Sequence, residues 1–502
     1  MGIVTALVVI AVWVLRRQWT QYVIGATAVF PQTAALVIGT NGFPLFYLAV
    51  VLLAVLSIPY LLAAIAHPDR VPALRRGIPV LPYVLAGVLL AWAVFISLVG
   101  PRVFAGTMVF APELGIGGVD VMVGLVPSLG NLAQVGYLAI AVTFLLLAGR
   151  LFPVDTRLLG VMLWGAVGLA AIRIVAEPVW PRELLQNMPG FNYATPERLS
   201  GTLHEPSVLG LYLVAAAAYF VVRLRQPGVE RIVSVFALAL VAVDFVFNSS
   251  GTALLGLGLL AAVAAVVAAV RMIASGRIQV RPLAVGAVVI AAGASLTQLP
   301  LLYSMTVGYA AQKTQTESFD DRGSSNWESL RILFESWGAG VGLGSNRPSS
   351  LLFLVISCLG VVGLGLLVAI VVLALKSAAA KPDGAAAAWT LIAILVAAGV
   401  AVPDLSSPAL WAAVAACLAP VVVRIRRGTR RSNPLVNPMV SARDTPPVRV
   451  IEGTLSGGIG NSVQVPDSPA APLSSLAPTF VARLARTLPD DRWTRVTPKE
   501  SA

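Results

Sequence analysis

The sequence predicts an all-α, polytopic membrane protein, and three observations carry that expectation. Of 502 residues, 58% are hydrophobic and 12% charged, outside the range of a water-soluble domain. Apolar runs of membrane-crossing length recur, separated by short polar loops. Lys and Arg gather in alternate loops, as they do where one set of loops stays in the cytoplasm. The formal net charge of +12 therefore reads as an orientation signal. Nucleic acid is not expected as a partner, because no basic patch is interleaved with aromatics. Cys358 and Cys417 both lie in apolar runs, and the only histidines are His67 and His204. Neither a disulfide framework nor a thiolate metal site is suggested, a His-rich metal centre is excluded, and no metal or other cofactor is expected.

Taken in order, residues 1–15 form a marginal first span ended by Arg16 and Arg17, and residues 19–40 and 45–66 form the next pair. The stretch 67–77 carries three arginines and is expected inside. Residues 79–99 cross outward, 100–127 form an outer loop with Glu113 and Asp120, and 129–148 return. After Arg150 and Arg157, residues 158–176 cross to an outer loop at 177–200. Residues 203–222 run inward to RLRQPGVER (223–231), and 232–247 run outward to the turn NSSG (248–251). Residues 252–270 return to a loop with Arg271, Arg277 and Arg281, and 282–296 cross to the large outer loop at 298–348. Spans at 351–375, 386–402 and 408–423 bring the chain to RIRRGTRR (424–431). The total is 12 or 13 spans. The domains are a transmembrane part, 1–423, and a cytoplasmic tail, 424–502, whose Pro, Ser, Gly and charge predict disorder.

RLSGTLHEPSVLG (198–210) is the most distinctive stretch. Pro206 suits the first turn of a helix, where its missing N–H costs nothing. Arg198, His204 and Glu205 are thereby set at the mouth of a span, where ionisable groups mark functional sites. The competing reading makes Glu205 a helix cap and Arg198 an interfacial anchor.

A second constellation lies in the outer loop. WESLRILFESW (327–337) places Leu330, Leu333, Phe334 and Trp337 on one face of an interfacial helix, with Arg331 and Glu335 paired on the other. GVGLGSN (340–346) is a weak phosphate-loop signal, and a hinge at the membrane surface is the stronger reading. Outward arginines suit bidentate recognition of phosphate or pyrophosphate. Without an ATP motif, any bond-making here requires an already activated donor.

These residues resemble a known family. RLSGTLHEPSVLG is similar to the Arg…Gly-Thr-Phe-x-Glu-Pro-Ser segment of bacterial O-antigen and capsule polymerases. Those proteins share a superfamily of multi-spanning C-type glycosyltransferases with the O-antigen ligases. Arg331, ten residues and then Gly342 match the Arg-x10-Gly spacing of polymerase outer loops. The turn NSSGT (248–252) lacks an arginine that relatives often carry, and no outer-loop histidine of the ligase kind stands near SNRPSS (345–350).

The resemblance implies an inverting glycosyltransferase that polymerises or ligates lipid-linked oligosaccharide units outside the cytoplasmic membrane. Its partners would be a polyprenyl-pyrophosphate-linked oligosaccharide, membrane lipid and other polysaccharide-assembly proteins. Glu205 or His204 would serve as base, with Arg198 at the leaving pyrophosphate. Arg331, Arg322, Arg347 and Gly342 would bind substrate. The alternative is a transporter or flippase for a lipid-linked oligosaccharide, which would place its ionisable groups nearer the bilayer midplane.

Overall fold

The computed structural model describes residues 1–38, 41–66, 79–110, 122–188, 198–203, 205–248, 250–275 and 317–420, with the side chains of 38, 41, 64 and 317–322 left aside. The expected tail at 424–502 and the expected span at 282–296 lie outside the described residues. All described residues belong to one compact unit of the chain.

The described elements are helical apart from two short hairpins. In order they are α1 (Gly2–Leu15), α2 (Thr20–Thr27), α3 (Leu45–Ala66), α4 (Val80–Val103), α5 (Leu129–Leu147), α6 (Thr156–Ala176) and the single turn α7 (Arg182–Leu185). There follow α8 (Pro206–Arg223), α9 (Val229–Asn248), α10 (Gly251–Ser275), α11 (Glu317–Glu335), α12 (Leu351–Ala379), α13 (Gly384–Ala401) and α14 (Pro408–Leu418). Strands β1 (Ala34–Ile38) and β2 (Asn41–Pro44) pair antiparallel, as do β3 (Met108–Phe110) and β4 (Met122–Gly124). Eight helices, α3, α4, α5, α6, α8, α10, α12 and α13, are long and apolar enough to cross a membrane; α1 and α14 are apolar but shorter. The architecture is that of a multi-pass membrane protein.

The expected span at 19–40 is not a spanning helix. A 3-10 turn leads into α2, whose eight residues extend about 12 Å against a hydrocarbon core of about 30 Å. The chain then turns into β1 and β2. Ile24, Ala28 and Val29 are apolar because they pack into the protein core, while Gln21, Gln32 and Thr33 are buried beside them. Over residues 24–29 the run's hydrophobicity reports burial in protein, whereas Leu36 and Val37 on β1 are exposed.

α8 is the central helix: 72% of its apolar window is buried, against 17% for α10 at the periphery. It packs against α6, α9, α10 and α13. Small residues let these backbones approach. A Cβ at Gly210 would come within 3.1 Å of Ala253, and one at Gly256 within 3.3 Å of Val214. Close approach through small side chains replaces the missing hydrophobic drive between helices in lipid.

α12 is broken at Gly360, whose φ of 66° and ψ of −164° leave the helical region. The carbonyls freed there are taken by protein, as irregular backbone at membrane depth requires. Val341 N donates to the Ser357 carbonyl at 2.9 Å and Gly342 N to the Cys358 carbonyl at 2.8 Å. Trp92 Nε1 takes the Leu359 carbonyl at 2.8 Å. The stretch 340–346 is thus packed through the bundle, which overturns the hinge reading. Gly340, Gly342 and Gly344 all have positive φ, with backbone atoms of Cys358, Ser97 and Gly130 where a Cβ would sit. Asn131 of α5 fixes the far end, donating to the Leu343 carbonyl at 2.6 Å and to Ser345 Oγ at 2.7 Å.

The helix expected around 327–337 exists as part of α11. Its protein-facing ridge is Ser325, Ser329 and Ile332, continued by Ser336 just past the helix end, all buried. Trp337, with φ of 51°, lies beyond the helix and not on the face expected for it. Trp327, Phe334 and Trp337 are exposed, as suits aromatic residues at a membrane interface.

Candidate functional site

The loop that enters α8 is held from three sides. Arg173, a buried residue in the last turn of α6, donates from Nη1 to Ser200 Oγ at 2.7 Å and to the Gly201 carbonyl at 3.1 Å. Its Nε faces Glu177 at 3.0 Å, and Glu177 also pairs with Arg182. Gln186 Nε2 donates to the carbonyls of Gly201 and Leu203 at 3.2 and 2.9 Å. Asn248, the last residue of α9, donates from Nδ2 to the carbonyls of Leu199 and Pro206 at 2.7 and 2.9 Å. Thr202 Oγ1 reaches the Val29 carbonyl at 2.6 Å. Gly201 turns with φ of +61° against Ala170, a conformation that L side chains rarely adopt.

Glu205 sits at the N-cap position of α8 and is exposed, yet its side chain makes no capping bond to the helix. One carboxylate oxygen instead accepts from Ser207 Oγ at 2.7 Å. The position is a cap; the carboxylate is turned elsewhere.

It lines a cavity of about 400 Å³, where α3, α8, α12 and α14 begin and α13 ends. That volume suits a small-molecule site. The charged residues of its wall are Glu205, Asp404 and Arg347. Asp404 is set in the turn between α13 and α14, accepting from Ser406 N at 2.8 Å and from Ser406 Oγ at 2.7 Å. Tyr47 Oη in turn reaches Ser406 Oγ at 3.1 Å and the Ser406 carbonyl at 3.2 Å. The rings of Tyr47 and Tyr137 stack with centroids 4.8 Å apart at 17°, and both line the cavity. Leu211, Val208 and Leu138 supply apolar wall.

Of the sequence-predicted residues, the cavity gathers two: Glu205 and Arg347. Arg347 is exposed, and its backbone N–H is fixed to the Phe110 carbonyl at 3.1 Å. Arg198 opens the strapped loop, half-buried, and is not in the cavity wall. Arg331 lies on α11, also outside that wall, with its guanidinium on Glu328 at 2.5 Å, Glu335 at 2.6 Å and the Met108 carbonyl at 3.2 Å. The bond to Glu328 foremost holds that guanidinium above its ordinary range. Gly342 is buried with its N–H spent on Cys358, so its place is in packing. His204 and the side chain of Arg322 lie outside the described residues.

Sequence reasoning missed Asp404, Tyr47 and Tyr137. A lone acid in VPDLSSP (402–408), between two apolar runs, was the one available signal. It also missed the straps Gln186 and Asn248, whose amides carry no functional signature in sequence. Among the described residues no group of three or more His, Cys, Asp or Glu is placed to hold a metal ion. No protein-family model and no curated protein matches this chain.

Proposed function

We propose that the cavity is the reaction site of an extracytoplasmic inverting glycosyltransferase, polymerising or ligating polyprenyl-pyrophosphate-linked oligosaccharide units into a cell-surface polysaccharide. The observation that supports this reading is the meeting of Glu205 and Arg347, from two distant stretches of the chain, in one wall with Asp404 and a stacked tyrosine pair. The Lys/Arg bias assigns that end of the bundle to the outside.

In the proposed step the acceptor hydroxyl oxygen bonds to the anomeric carbon of the donor as the bond from that carbon to pyrophosphate breaks. The hydroxyl proton passes to the Glu205 carboxylate. The departing pyrophosphate carries the displaced electron pair, and the Arg347 fork offers two parallel donors to it. Arg198 waits at the loop that Arg173 and Gln186 hold. The half-buried ring of Tyr137, backed by the buried Tyr47, offers amphipathic surface to the apolar face of a sugar ring.

The test uses purified full-length protein in lipid with a polyprenyl-pyrophosphate oligosaccharide, measuring donor binding and chain extension separately. Glu205→Gln keeps the shape and removes the base, so binding holds while extension falls about 100-fold or more. Near-normal extension by that variant removes Glu205 from the role. Analysis of deletion cells separates the two activities: single unpolymerised units mark a polymerase, and full-length unattached chains mark a ligase.

A further inference from the structure

Three residues with unpartnered buried oxygens, none of them in the cavity wall, follow one another along the chain where α9 hands over to α10. Asp244 is fully buried in the C-terminal half of α9, and neither carboxylate oxygen has a hydrogen-bond partner. One helical turn on, on the same face, Asn248 spends its amide N–H groups on the α8 loop while its Oδ1 has no partner. Thr252, buried in the first turn of α10, also has an unpartnered Oγ1.

This arrangement is costly as it stands. A buried carboxylate without a partner has lost its hydration with nothing in return. The negative end of α9 adds to that cost, because the helix ends at Asn248 with no basic residue in its last turn. No backbone N–H of α10 compensates it, since the carboxylate accepts none. Arg173, which holds the same loop, is committed to Glu177, Ser200 and Gly201.

We propose that Asp244, Asn248 Oδ1 and Thr252 Oγ1 form a binding site for one monovalent cation. Charge decides the valence: one carboxylate balances one positive charge. Donor chemistry decides the class, since all-oxygen ligands of carboxylate, amide and hydroxyl type select hard alkali ions over soft metals. A proton on Asp244 would satisfy the carboxyl charge but leave the Asn248 acceptor as it was. A bound cation engages every one of these oxygens. The ion would also lock the end of α9, and through Asn248 the loop that carries Arg198 and Glu205. The site does not depend on the glycosyltransferase reading, and its test is a binding measurement.

The experiment follows thermal unfolding of the purified full-length protein in sodium, potassium or choline chloride at equal ionic strength. A ligand that binds only the folded state raises its melting temperature saturably. The expected result is a saturable rise of about 2 °C or more in sodium or potassium over choline, with the more effective ion naming the occupant. Asp244→Asn should abolish the rise. Thr252→Val keeps the charge and shape and should raise the half-saturating concentration about tenfold, the value of one ligand contact. The proposal is overturned by equal melting temperatures in the three salts, or by a pH-dependent but ion-independent melting temperature. An undiminished rise in Asp244→Asn, or an unchanged midpoint in Thr252→Val where Asp244→Asn does not fold, overturns it equally.

Discussion

Arg173 Nη1 donates to Ser200 Oγ at 2.7 Å, so a buried arginine of α6 positions the loop that opens α8. Replacing it by Gln shortens the side chain, leaves Ser200 Oγ without its donor and leaves the Gly201 carbonyl to Gln186 alone. Glu177 is 40% exposed and keeps Arg182, so little of the loss comes from that ion pair. Arg173→Gln should cost about 2–3 kcal/mol, the value of buried hydrogen bonds to a charged group. Thermal unfolding of the variant measures the cost, and an unchanged melting temperature would show that the loop is held without Arg173.

The glycine at 342 meets a different constraint. Its φ is +96°, and a Cβ there would lie 2.7 Å from Ser97 Cα, a backbone atom that cannot swing aside. Gly342→Ala should therefore lose about 2–4 kcal/mol from strain and overpacking together. Gly323, inside α11 with nothing within 4 Å, is the control. There Ala should gain up to about 1 kcal/mol of helix propensity. Equal melting temperatures for the two variants would contradict the packing described for 340–346.

Most of the helices were legible because apolar runs of the right length name themselves. The start of α8 was legible to within one turn, through Pro206, although the span was expected to open at 203. Residues 19–40 were misread because a run buried in protein and a run facing lipid have the same composition. The break in α12 was hidden for a similar reason, since Gly360 is one of three glycines in LGVVGLG (359–365) and only its φ distinguishes it. The site was half legible. Glu205 and Arg347 stood out as charges beside spans, while Asp404 and the tyrosines acquire meaning only when α3, α5 and α14 bring them together. The Arg-x10-Gly spacing was visible, but Arg331 and Gly342 face different tasks.

Lys381 follows α12 and donates to the Cys417 carbonyl. Burial pushes its ammonium down from 10.5 to about 8. Between those values the folded state binds fewer protons than the unfolded chain, so stability rises with pH there. The cost of holding the buried charge is full below about 8 and is relieved by 10.5. Lys381→Met removes that contribution. Melting temperatures of wild type and variant, compared across pH 8 to 10.5, should converge or cross in favour of the wild type as pH rises. A constant difference between them would show that Lys381 titrates normally.

The two outer-loop arginines should separate by function. Arg347 stands in the wall of the cavity with Glu205, whereas Arg331 is held by Glu328 and Glu335 on α11. An arginine already paired with two carboxylates has little fork left for pyrophosphate. Arg331→Gln should thus change chain extension less than about threefold and cost no more than about 1 kcal/mol of stability, since the pairs are partly exposed. Arg347→Lys keeps the charge but loses bidentate geometry, and a lost contact to developing charge is worth about 3 kcal/mol, or roughly 100-fold in rate. Extension rates of both variants in the lipid-linked oligosaccharide assay decide the matter. If Arg331→Gln is the more damaging, the substrate phosphates lie on α11, and the cavity at Glu205 loses its claim to the reaction.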